Sequence, residues 1–165
     1  MIVLSCHSTF YNPQWRFIMR RVISVSLLIC AFCSSAFAGP KEDAFQVVEL
    51  WGKAFTAADV NAIVGLYAPD AVFMGTGTRT IVTQPEGVRK YFEVALLGNR
   101  KFVASLVDSS VVALNDTTVV VTGLDKLIAT VDGKSQDIFG RVTFVLSKRE
   151  SGWKIVHFHR SAMPA

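Results

Sequence analysis

Across residues 41–58 the apolar side chains Phe45, Val48, Trp51, Ala54 and Phe55 recur at intervals of three and four, the spacing that lines one face of an amphipathic helix. The period breaks at Ala57-Ala58-Asp59, and a second, shorter helix is expected to carry Val60, Ile63, Val64 and Tyr67, with Asp59 as N-cap and Pro69 as stop. Residues 71–74 and 79–82 then read as two short strands around Gly75-Thr76-Gly77-Thr78. A third helix is predicted over residues 85–97. Pro85 suits its first turn, Val88, Tyr91, Phe92 and Ala95 form its inner face, and Gly98 closes it. Everything beyond reads as strand: residues 101–114, 117–130, 136–148 and 153–162 are joined by Asn115-Asp116, Asp132-Gly133 and Glu150-Ser151-Gly152, each a hairpin signal. Helices followed by a long antiparallel meander define an α+β domain. Strands this long must curl, so the expected shape is a cone-shaped roll, three helices packed on a strongly curved antiparallel sheet.

The front of the chain follows a different pattern. Arg20-Arg21 precede an apolar run over residues 22–33, followed by Ser34-Ser35-Ala36-Phe37-Ala38 and then Gly39, the order of a secretory signal with cleavage after Ala38. That run is shorter than the roughly 20 residues a membrane-spanning helix needs, which disfavours a permanent membrane anchor. Ile29 and Phe32 precede Cys30 and Cys33 where a lipoprotein would carry small residues. Met19, directly before the arginine pair, is a better start for such a signal than Met1. Residues 1–38 are therefore expected to be an N-terminal extension and cleaved signal peptide, residues 39–165 a single domain, and its location periplasmic or secreted.

Removing that segment changes the chemistry open to the domain. Three of the 17 basic residues (Arg16, Arg20, Arg21) and none of the 13 acidic ones fall in it, so the remainder is close to neutral. Nucleic-acid binding would need a clustered basic face, and dispersed, balanced charges do not supply one. All three cysteines, Cys6, Cys30 and Cys33, also go, leaving no disulfide, thiol nucleophile or thiolate ligand. No cofactor is implied.

Candidate chemistry concentrates in the last strand, Trp153-Lys154-Ile155-Val156-His157-Phe158-His159-Arg160-Ser161. Strict alternation puts Val156, Phe158 and Arg160 on one face and Ile155, His157 and His159 on the other, so a cation ends an apolar face. Arg160 either curls out to water at the terminus or, buried, requires an anion. His157 and His159 are two apart on one strand face, but no third ligand has a matching spacing, so no metal site is assigned. Either histidine, titrating near neutral pH, is a weak candidate for a general base. Both are expected on the outer face of the sheet.

The segment Leu66-Tyr67-Ala68-Pro69-Asp70-Ala71-Val72-Phe73 and the tail His157-Phe158-His159-Arg160-Ser161 before Met163-Pro164 resemble the nuclear transport factor 2-like superfamily. Within it the tail is most similar to the association domain of calcium/calmodulin-dependent protein kinase II and to the bacterial SnoaL-like (SgcJ/EcaC-type) proteins. The chain carries no kinase catalytic segment, so phosphoryl transfer is not implied. The resemblance implies a pocket with cations at Arg160, Arg141 and, less closely matched, Lys126, which together would hold a small anionic or carboxylate-bearing molecule, since unpaired buried charge is costly. Trp51, Tyr67 and Phe158 are the candidate apolar ligand contacts. The alternative is that Arg141 and Arg160 pair with Asp137, Asp125 or Glu49 and hold the fold shut. The superfamily also implies packing of the sheet against another subunit, so a homodimer or larger ring is expected, with Trp153 and Ile155 in its interface.

Ketosteroid isomerase belongs to the same superfamily and uses a tyrosine of the first helix and an aspartate after the first strand. Aligned on residues 66–72, those positions hold Trp51 and Gly75, and neither can move a proton. Asp70 remains as a nearby carboxylate, though after Pro69 it is expected to cap a turn. Two readings follow. One is an exported domain that self-associates and binds a small anion without catalysis; the other is a SnoaL-like isomerase, cyclase or hydrolase of a small hydrophobic substrate, using His157, His159 or Asp70.

Overall fold

The structure, a computed structural model, describes residues 39–164; the expected signal segment and the three cysteines lie outside the described residues. Helix α1 spans Pro40–Thr56, with proline in its first turn and Ala44, Val47, Val48, Trp51, Ala54 and Phe55 buried along one face. It ends with Ala58 in the left-handed region (φ 54°), and the Asp59 amide reaches back to the Ala54 carbonyl at 2.9 Å. Asp59 caps α2 (Val60–Gly65) as expected, its carboxylate accepting from the Ala62 amide at 2.9 Å. The helix stops before Pro69: Tyr67 already belongs to strand β1, Tyr67–Met74. The second short strand expected at residues 79–82 is reduced to one bridge, Val82 opposite Phe73. Helix α3 runs Pro85–Ala95, and Gly98 past its end takes the positive φ (88°) that suits glycine.

Four long strands follow, β2 (Lys101–Asn115), β3 (Thr118–Val131), β4 (Lys134–Arg149) and β5 (Gly152–Ala162). The β3–β4 turn places both Asp132 and Gly133 at positive φ (49° and 76°), the conformation a two-residue hairpin requires. The sheet order is β1-β5-β4-β3-β2. The meander is antiparallel throughout, but β1 pairs parallel to β5, so the sheet is mixed where an antiparallel one was expected. It is curved and unclosed, and the α+β class stands.

The core lies between the sheet's concave face and the helices and is largely aromatic. Trp51 stacks on Phe55 with centroids 5.2 Å apart, Phe73 stacks on Phe158 at 5.1 Å, and Phe144 meets Phe158 edge-on at 5.0 Å. Such pairs add about 0.5–1.5 kcal/mol each beyond the area they bury.

The alternation expected in the last strand fails at one residue. Leu146 pairs with Ile155 and Val145 with His157, so Val156 is a bulge, an extra residue on one strand. Ile155 therefore turns inward with Phe158 and Arg160 and is fully buried, not on the outer face with the histidines. A subunit interface cannot use it.

Candidate functional site

Along β3 the residues facing the helices are Val119, Val121, Asp125, Leu127 and Ala129, a carboxylate set into an otherwise apolar row. Asp125 is directly opposite Gly140 on β4, and Arg160 on β5 is next to that position, opposite Val142. The absence of a side chain at Gly140 lets the guanidinium cross β4. Its Nε donates to Asp125 Oδ2 at 2.6 Å, with both side chains more than nine-tenths buried. A Cβ at Gly140 would collide with Asp125 Oδ1 and with Arg160 Nη2. Arg160 Nη1 donates to Thr76 Oγ1 at 3.0 Å, and that hydroxyl donates to the Arg160 carbonyl at 3.3 Å, which ties the loop after β1 to the end of β5. Asp125 Oδ1 and Arg160 Nη2 are buried with no partner among the described residues.

Asp125 is also on the wall of a cavity of about 590 Å³ between α1 and strands β2, β3 and β4. The wall is otherwise mainly apolar, with Val48 and Trp51 from α1, Leu106 from β2, and Val142 and Phe144 from β4. Glu49 and Lys53, both exposed, stand on it where α1 meets solvent. The volume is within the range of roughly 300–1,000 Å³ usual for small-molecule sites.

The three cations do not converge. Arg141 alternates with the buried Gly140 and Val142 and is exposed on the opposite face of the sheet. Lys126 shares that outer face and donates to Asp137 Oδ2 at 3.1 Å. Arg160 alone is inside, paired with Asp125. Of the apolar candidates, Trp51 is on the cavity wall, while Tyr67 and Phe158 are in the core behind it. Trp51 Nε1 donates to the Tyr67 hydroxyl at 3.1 Å. Burial pushes the Tyr67 hydroxyl well above its ordinary value of 10.0, against the opposing pull of that hydrogen bond.

None of the expected catalytic residues reaches the cavity. His157 and His159 are on the outer face beside Val72 and Met74, and His157 is pulled below its usual value by partial burial and then by the charge of His159. Asp70 caps no turn; it is exposed and pairs with Arg149 at 3.0 Å. Gly75 fits tightly, since a Cβ there would come within 2.5 Å of the Tyr91 ring. The described residues contain no cluster of three metal-ligating side chains. The residue that reasoning from sequence placed only as a possible ion-pair partner is Asp125. Its signal was parity: it falls in step with Val121 and Leu127, where a strand facing a core should be apolar.

Helices on one face of a curved five-stranded sheet, enclosing a cavity, define a nuclear transport factor 2-like fold. The chain belongs to the SnoaL-like domain family, whose sequence profile matches residues 45–165. A solved structure from Xanthomonas campestris, assigned as a calcium/calmodulin-dependent protein kinase II association domain, is 31% identical, with a TM-score of 0.67 over 74% of this chain and 87% of that one. A nuclear transport factor 2-like protein of unknown function from Pseudomonas putida is 20% identical, with a TM-score of 0.67 over 76% and 87% of the two chains. A protein from Streptomyces avermitilis, assigned as a dehydratase of the same fold family, is 17% identical with a TM-score of 0.68 over 76% and 96%. The last two share the fold alone. No curated protein matches the chain.

Proposed function

We propose that this protein is an exported, self-associating binding domain that holds a small, largely apolar molecule between α1 and the sheet. The observation that carries the reading is the cavity of about 590 Å³, apolar over most of its wall with one buried, arginine-held carboxylate in it. Export is supported by the order of residues 20–39, and self-association by the similarity to a protein assigned as an association domain. A small anion, as the family resemblance implied, would have to displace Asp125 from Arg160, so the apolar body of the ligand carries more of this reading than its charge. Native mass spectrometry of the protein from the exporting cell, beside an Ala104→Phe variant that fills the cavity, tests it. A small adduct on an oligomer whose chain begins at Gly39, lost in the variant, is expected. An adduct retained by the variant would place the ligand elsewhere, and a bare monomer would end the reading.

A second reading is enzymatic. The fold's members include many isomerases and dehydratases, and Asp125 is a proton acceptor set in an apolar cavity. Turnover of a small hydrophobic substrate that Asp125→Asn abolishes without unfolding would favour it over simple binding.

A further inference from the structure

We infer that the ligand of this cavity presents a hydrogen-bond donor, a hydroxyl or a protonated amine on an apolar body, and that Asp125 accepts it. The inference rests on the reading of the cavity as a ligand site and adds the polarity of what enters.

A carboxylate can accept about four hydrogen bonds, and among the described residues Asp125 receives one, from Arg160 Nε; Oδ1 is buried with no partner. Its acceptor capacity is largely unused, in a site where buried polar groups are ordinarily paired. Arg160 does not offer the opposite invitation. The guanidinium does not form part of the wall: Nε is committed to Asp125 and Nη1 to Thr76, and Nη2, though unpartnered among the described residues, is buried off the wall. An incoming anion would meet a carboxylate before it met the arginine. The other charged wall residues do not reverse this, because Glu49 stands with Lys53 where α1 meets solvent. Arg160 is a positioning residue: by crossing at Gly140 it fixes the Asp125 carboxylate in place on the cavity wall. Trp51, Leu106, Val142 and Phe144 then leave the remainder of the molecule only apolar surface to meet.

The test uses four probes on one skeleton, 4-phenylbutan-1-ol, 4-phenylbutylamine, 4-phenylbutanoate and butylbenzene, titrated calorimetrically into the purified chain. The alcohol and the amine should bind at least about tenfold tighter than the carboxylate, as a charge-assisted or neutral bond to a preorganised acceptor would produce. Asp125→Asn should cost the amine at least about tenfold and strengthen binding of the carboxylate, because Arg160 then has no anion of its own. Should that variant fail to fold, the ranking on the parent chain decides alone. A carboxylate that binds as tightly as the amine and the alcohol overturns the inference. Equal binding of all four overturns it too while leaving the cavity a ligand site. No binding by any probe, butylbenzene included, removes the ligand site and the inference together.

Discussion

At Gly140 the lack of a side chain decides the electrostatics of three strands. The guanidinium of Arg160 and the carboxylate of Asp125 meet over it, and a buried pair of this kind is tolerated only while both partners stay in place. Gly140→Ala should therefore force the pair apart and lower stability by about 1–3 kcal/mol, measured by urea denaturation; a variant as stable as the parent would mean the pair relaxes around a methyl group. Tyr67 gives a pH signature. Its folded-state pKa is raised by burial, so the unfolded chain loses the proton first, and the stability it contributes is complete below 10.0 and declines as pH rises beyond it. Tyr67→Phe should flatten the alkaline fall in the denaturation midpoint, at a small loss at neutral pH because Trp51 Nε1 loses its acceptor. An unchanged alkaline slope would assign that fall to other groups. Arg141 shows what was available from residues alone. Val142, Phe144 and Leu146 are in step with one another and Arg141 is out of step with them, and that parity already places it outside the cone; the family resemblance outweighed the alternation.

The helices were legible at the scale of elements because their signals are local. A three-four period, Asp59 as cap and Pro85 at a first turn each act within a few residues, and α1, α2 and α3 begin within a residue or two of where those signals put them. Tyr67 was misplaced for the same reason: its apolar ring fits the helical period, but the pairing of β1 with β5 captures it, Tyr67 opposite Ile155. The bulge at Val156 was not legible, since a two-residue period cannot announce the extra residue that resets it, and it is fixed only by the partner strands. Its consequence is measurable. Ile155→Ala should destabilise the monomer by about 2–5 kcal/mol, as a fully buried isoleucine does; a loss of oligomerisation at unchanged stability would return Ile155 to an interface. The α1–α2 junction gives an opposite prediction. Ala58 holds a positive φ that glycine adopts freely, so Ala58→Gly should raise the thermal midpoint by the equivalent of about 0.5–1 kcal/mol. A lowered midpoint would show that the alanine methyl is packed to advantage.

For the whole molecule the two faces of the sheet have separate tasks. The concave face, with the helices, encloses the aromatic core and the cavity; the outer face carries Arg141, Lys126, His157 and His159 among exposed apolar residues such as Leu124 and Phe139. The fold and its family could be read from the order of elements and the tail. The cavity's polarity could not, because it depends on three strands bringing Asp125, Gly140 and Arg160 to one point, which only long-range register fixes.

On the reading proposed above, a small apolar molecule with a donor group enters between α1 and the sheet and ends at Asp125. Mapping backbone amide chemical shifts while 4-phenylbutylamine is titrated into the isotopically labelled protein tests it directly. Saturable shifts centred on Leu106, Asp125, Val142 and Phe144 are expected. Shifts confined to the outer-face residues Thr122, Arg141 and Thr143, or none at all, would contradict it.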